Sequence, residues 1–198
     1  MKINIFALLS FLIFSTTMDA QQHKKSVVKF QKELNKEFKN PKKSPLKKED
    51  LKTFHGLAFF PIDEKYRVTA KFERAENAIP FQMTTTTDRL PTYEVYGTAT
   101  FVIDQQEFTL NIYQSHQLRA TKKYKTHLFL PFTDLTNGTE TYGGGRFLDL
   151  EIPEEGTSIP IDFNKAYHPY CAYNYSYSCP IPPEENDLKI KIEAGVKL

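Results

Sequence analysis

The sequence predicts a mainly β fold, an antiparallel β-sandwich or barrel of about 8–10 strands preceded by one or two N-terminal helices. Three observations carry that expectation. From residue 55 onward apolar and polar residues alternate with period two: Tyr66, Val68, Ala70 and Phe72 interleave with Arg67, Thr69, Lys71 and Glu73, and Phe108, Leu110 and Ile112 with Glu107, Thr109 and Asn111. Leu128, Leu130 and Phe132 repeat the pattern before Asp134, as do Leu188, Ile190 and Ile192 near the end. Such alternation marks strands with one dry face and one wet face, which favours antiparallel pairing. Turn residues punctuate the runs at Pro61-Ile62-Asp63, Asp104-Gln105, Asn137-Gly138 and Glu155-Gly156. Finally, no helical period interrupts the strands, whereas one does precede them.

Taken in order, the chain begins with MKINIFALLSFLIFSTTMDA, where Lys2 leads an apolar run from Ile5 to Phe14 that ends at the small residue Ala20. This predicts a secretory signal peptide over 1–20, cleaved after Ala20, and hence export to the periplasm or beyond. The apolar run is too short for a comfortable permanent span, and no later segment is apolar enough to cross a bilayer. Ser26 to Asn40 is expected to be helical, because Val27, Phe30, Leu34 and Phe38 form a narrow stripe on a lysine-rich surface. Asn40-Pro41 ends it, and Ser44-Pro45 predicts the cap and first turn of a second helix ending near Phe54. Residues 21–54 thus form a basic helical arm on a single β domain, 55–198. Further strands are expected at 57–60, 81–85, 93–103, 147–152 and 158–163.

Charge divides the same way. Residues 21–52 hold eleven Lys and four acids, a net of +7, while 53–198 hold fourteen Lys or Arg and nineteen acids, a net of −5. A basic arm suits peripheral contact with an anionic envelope surface, and an acidic body disfavours nucleic acid. The two cysteines, Cys171 and Cys179, predict one disulfide in an exported protein. The competing metal pair lacks the four ligands that structural zinc wants, so neither a metal nor another cofactor is expected. The segment 167–183 breaks the alternation. It holds five tyrosines, both cysteines and four prolines, and reads as a long ordered loop whose rings either bury or present an aromatic row to a sugar.

The stretches LFLPFTDLTNGTETYGGGRFLDL (128–150) and IDFNKAYHPYCAYNYSYSCPIPPEENDL (161–188) carry a resemblance, joined by SPL (44–46), GLAFFPIDEKYRVTAKF (56–72) and IEAG (192–195). Together they resemble the bacterial family called domain of unknown function 1684, across nearly all of the chain after residue 20. The resemblance implies no reaction, cofactor or substrate. It singles out Asp134, Gly138, Thr141, Tyr142, Gly145, Arg146, Asp149, Asp162, Asn164, Tyr167, Cys171, Cys179, Pro182, Pro183 and Asn186. His168 departs from the family pattern, which usually shows Asn there, and Val196 stands where many members show Glu.

Gly143-Gly144-Gly145-Arg146 suggests a phosphate loop, but such a loop feeds a helix and carries a lysine. Here a strand is expected to follow, so the glycines read as backbone relief. Arg146 offers a planar fork for a carboxylate. It is either a strut to Asp134 or Asp162, or an anion clamp at a pocket mouth. Asp162 and Asn164 share a face at a strand end and either bind a polar ligand or satisfy the amides of the tyrosine loop. No nucleophile elbow or paired metal histidines occur, so enzymatic activity is not expected. The leading expectation is a non-catalytic domain that binds a small polar or anionic ligand or glycan at Asp134, Tyr142, Arg146, Asp162, Asn164 and Tyr167. A metal-independent hydrolase using Asp134 or Asp162, and an envelope-docking protein acting through the basic helix, are the alternatives.

Overall fold

The computed structural model describes residues 5–153 and 156–198, with side chains from residue 18 onward. Parts of the expected leader (1–4) and of the expected turn at Glu155 lie outside the described residues. Helix α1, Ile5–Lys39, runs unbroken through Ala20. Helix α2, Lys48–Thr53, follows. Ten strands come next in the order β1 (Ala58–Phe59), β2 (Arg67–Arg74), β3 (Phe81–Gln82), β4 (Thr92–Ile103), β5 (Gln106–Ser115), β6 (His127–Asp134), β7 (Arg146–Glu151), β8 (Ser158–Asp162), β9 (Asp187–Leu188) and β10 (Val196–Lys197). A one-turn helix α3, His116–Arg119, sits between β5 and β6. No described helix is long and apolar enough to cross a membrane.

The main sheet follows the order β7-β6-β5-β4-β2-β8 and curls into a half-barrel, with β3 added to β4 and β9 to β6. It is one curled sheet, so of the two expected architectures the barrel is the nearer. All ladders on the main path are antiparallel, and β9 alone runs parallel to its partner. A separate pair joins β1 to β10. The β4–β5 hairpin turns on two residues, Asp104 (φ 50°) and Gln105 (φ 64°). Positive φ at both central positions matches the right-handed strand twist.

The inward residues meet in one core: Phe72, Phe101, Phe108, Leu110, Leu128, Leu130, Phe132, Leu148, Ile159 and Phe163. Alternation predicted this face correctly, but it predicted a wet outer face, and there the structure differs. Met83, Tyr93, Tyr113, Phe129 and Phe147 form a second core with Cys179. The covering layer is the tyrosine loop, where Tyr167, Tyr170 and Tyr177 pack onto those side chains. The loop's rings therefore do the work of a missing layer, while Tyr175 remains exposed under Lys47.

Ser44 does not cap α2. Its Oγ instead accepts from Leu46 N–H (3.2 Å) in a local turn, and the helix begins after Lys47, with Glu49 and Asp50 in its first turn. Acids there favour the helix dipole, so no side-chain cap is needed.

One buried side chain splices the sheet. Strands β5 and β6 share a single ladder pair, Tyr113–Phe129. Beyond it Asn186, fully buried, inserts its amide: Oδ1 accepts from Asn111 N–H (2.8 Å), and Nδ2 donates to the carbonyls of Asn111 (2.9 Å) and Pro131 (2.6 Å). Asn186→Ala strips partners from three backbone groups. We predict a loss of about 3 kcal/mol or more in urea unfolding, since each orphaned buried group costs roughly 1–3 kcal/mol. A loss within about 0.5 kcal/mol, the usual range for surface substitutions, would contradict the splice.

Candidate functional site

The segment between β6 and β7 is a folded knot. Thr136 carbonyl accepts from the N–H groups of Thr139 (3.2 Å), Glu140 (2.9 Å) and Thr141 (3.0 Å), and Asn137 Nδ2 donates to Tyr142 carbonyl (3.0 Å). Gly145 closes it at φ +87°. A Cβ there would lie 2.6 Å from Phe132 carbonyl oxygen, so glycine is required both by conformation and by space. A strand follows, as expected, and no phosphate loop forms.

That knot delivers Arg146 inside the protein, where it is completely buried. Its Nη2 donates to Asp134 Oδ2 (2.7 Å) and Ile192 carbonyl (2.7 Å), and its Nη1 donates to Ala194 carbonyl. Asp134 Oδ1 accepts from Thr136 N–H (2.8 Å) and Ile192 N–H (3.2 Å). The guanidinium carbon sits 5.3 Å from the centre of the Phe132 ring. Only Nε lacks a partner among the described buried side-chain atoms. Arg146 is thus a strut joining β6, β7 and the C-terminal segment. The expected pocket around it is not what the structure builds, because its charge and two of its nitrogens are satisfied within the core.

The other expected site residues divide among separate places. Tyr142 lies beside Arg146 in the chain, but its N–H donates to His168 Nε2 (3.2 Å) and its hydroxyl approaches Cys171 Sγ (3.9 Å). Asp162 and Asn164 belong to a second knot. Asn164 exchanges two hydrogen bonds of 2.9 Å with the backbone of Asp63. Asp162 caps the following turn through Oδ1 and takes His23 Nε2 on Oδ2 (2.9 Å), while His23 Nδ1 reaches Glu64 (2.5 Å). These two residues therefore anchor α1 and the 61–66 loop, not the tyrosine loop. The sequence could not single out His23, since it lies on a lysine-rich helix with no motif around it.

Tyr167 stands at a third place. It pairs by backbone with Phe147, and its hydroxyl donates to both oxygens of Asp149 (3.0 Å each), which also takes His127 Nε2 (2.8 Å). Here a cleft of about 490 Å³ opens between α1 (Phe30, Glu33, Leu34, Glu37), β7 (Phe147, Asp149) and the tyrosine loop (Tyr167, Pro169, Tyr170, Ser178, Cys179, Pro180). The helical stripe explains it. Val27 and Phe38, at its ends, are buried, whereas Phe30 and Leu34 between them are half-buried and roof the gap. Tyr170 hydroxyl donates to Glu37 and fixes one end. The structure draws no bond between Cys171 and Cys179, but it sets them side by side: Cys171 N–H donates to Cys179 Sγ (3.2 Å), and burial pushes the unbonded Cys179 thiol up to about 12. Next to the cleft on α1, with Glu33 at the shared edge, Lys24, Lys25, Lys29, Lys32 and Lys36 line a second concavity. No group of three or more His, Cys, Asp or Glu among the described residues is arranged to hold a metal ion.

Architecture and site together define a half-barrel with a sealed ionic strut and an open, helix-roofed cleft. The chain belongs to the family described as protein of unknown function DUF1684, which it matches over residues 52–197. It is similar to an uncharacterised protein of Haloarcula marismortui, known from a solution NMR structure. The identity is 32%, over 91% of this chain and 97% of that one, with a TM-score of 0.72. No curated protein matches it.

His168 supplies a pH test of this packing. Nε2 accepts from a backbone N–H, so the proton sits on Nδ1, facing the Tyr173 hydroxyl (3.3 Å). Burial, and then the charge of Arg146, depress its pKa to about 4. Its folded pKa lies below the unfolded value of about 6.5, so the stabilisation is present above pH 6.5 and lost as pH falls toward 4. We predict that His168→Asn, whose amide oxygen can keep the Tyr142 contact, flattens the stability curve between pH 6.5 and 4 in urea titrations. An unchanged slope would show that His168 is not the sensor.

Proposed function

We propose that this chain is a non-catalytic binding domain whose ligand seat is the cleft under α1, with Arg146 as its internal support. The carrying observation is the half-buried middle of an otherwise buried helical stripe, Phe30 and Leu34, held over Phe147, Tyr167 and Tyr170. A concave, aromatic-lined space with a few fixed polar groups is the usual form of a small-molecule seat. A hydrolase is less well supported. Asp134 has no solvent-exposed surface on its side chain, and Asp162 is held by His23 and by its own turn. A general base must reach a water or a substrate proton.

Mapping tests the seat directly. When a library of small ring compounds is titrated into the protein, amide shifts are expected at Phe30, Leu34, Phe147 and Tyr170. Filling the cleft with Leu34→Trp should weaken any hit at least tenfold without lowering stability. Hits that map consistently elsewhere would remove the reading.

Export with a Cys171–Cys179 disulfide, and contact of the lysine face with an anionic envelope surface, are part of the same proposal. They are supported by the leader-like start, by the hydrogen bond from Cys171 N–H to Cys179 Sγ (3.2 Å) that holds the two cysteines together, and by the five lysines of one helical concavity. One fractionation reads all three. The protein is expected outside the cytoplasm, without free thiols, and released from membranes by high salt as screening dictates. A cytoplasmic protein with two reactive thiols would overturn this part.

A further inference from the structure

We infer that the cleft selects an organic cation with an apolar body, such as an aromatic or quaternary amine; this rests on the cleft being the ligand seat. Both walls contribute carboxylates, Glu33 and Glu37 from α1 and Asp149 from β7, and no Lys or Arg lines the space. Three other concavities differ: five lysines beside Glu33 line one on α1, Lys165 borders the gap between β7 and β8, and Arg89 borders the hollow beside Tyr93.

The three acids are not neutralised by close cationic partners within the cleft. Glu33 stands at the edge between the cleft and the lysine face and has one exposed contact with Lys29 at 3.8 Å, so Glu37 and Asp149 carry more of the cleft's charge than it does. Among the described residues Glu37 accepts only the Tyr170 phenol. Asp149 is 56% exposed at its side chain, with Tyr167 hydroxyl on both oxygens and His127 on Oδ1. The remaining polar lining adds no positive charge. The Tyr167 and Tyr170 phenols are held above their ordinary pKa, by burial first and by the adjacent carboxylates second, and so remain neutral.

Between the acids stand Phe30, Phe147, Tyr167 and Tyr170. Aromatic faces attract a cation through their quadrupole as well as covering an apolar body. Carboxylates on a low-dielectric wall concentrate cations and repel anions. The anionic ligand that Arg146 suggested is thereby disfavoured, and a neutral sugar gains nothing from the three charges.

Benzylammonium, benzyl alcohol and phenylacetate share a ring and differ in charge. Titrated into the full chain at neutral pH and low salt, with the amides of Phe147, Asp149 and Tyr170 as the readout, benzylammonium should bind at least tenfold tighter than benzyl alcohol. Phenylacetate should bind most weakly. The preference should shrink in 0.5 M salt, roughly as the Debye length contracts below 8 Å. Glu33→Gln combined with Asp149→Asn, both at exposed positions, should remove most of it while benzyl alcohol binding persists. Equal affinities of amine and alcohol at these amides would overturn the cation selectivity and leave the seat standing. No shift at these amides with any of the three would overturn both.

Discussion

The buried pairing of Arg146 with Asp134 is the constraint on which the rest of the molecule depends. A guanidinium can lie in an apolar interior only if its charge is matched and its donors have acceptors. Asp134 supplies the charge, and the carbonyls of Ile192 and Ala194 supply acceptors, which ties the C-terminal segment to β6 and β7. The tightly wound turn after β6, the glycine at 145 and the parallel contact of β9 all follow from placing one fork at one point.

A second consequence concerns the outer face. The half-barrel is apolar on both sides around Tyr93, Tyr113, Phe129 and Phe147, so something must cover it. The tyrosine loop does so without forming a strand, relying on large rings, prolines and short 3-10 turns. Helix α1 then lies over the loop through Phe38, which meets Tyr173 edge-on at 4.8 Å. Because helix and loop touch only at points, a cleft remains between them. Binding capacity thus arises where a makeshift layer meets a regular one.

Much of this was legible in the sequence, for physical reasons. Period-two alternation reports which face of a strand is dry, and it placed β2 and β6 within two residues and β5 short by its last three, whereas the run Leu188, Ile190 and Ile192 yields only the two-residue β9. The further candidates at 93–103, 147–152 and 158–163 match β4, β7 and β8 within a residue. The Asp104-Gln105 turn and the strand after Gly145 were legible because both are local. What was not legible is long-range. Nothing near Ser158 indicates that β8 pairs with β2, and nothing near His23 indicates two carboxylates from 41 and 139 residues away. The residues expected in one pocket are each fixed by hydrogen bonds. Yet Asp134 and Arg146 serve the core, Asp162 and Asn164 serve the α1 anchor, and only Tyr167 reaches the cleft. The wall of that cleft comes from Phe30 and Leu34, whose spacing alone reads as ordinary helix packing.

A double-mutant cycle on Asp134→Leu and Arg146→Met, read by urea unfolding, tests the central claim most directly. Removing either partner strands a buried charge and should cost about 3–5 kcal/mol, whereas removing both should cost far less than the sum. A large coupling of that sign is the predicted result. If Arg146→Met leaves stability unchanged, the arginine is not a strut and the account is wrong at its root.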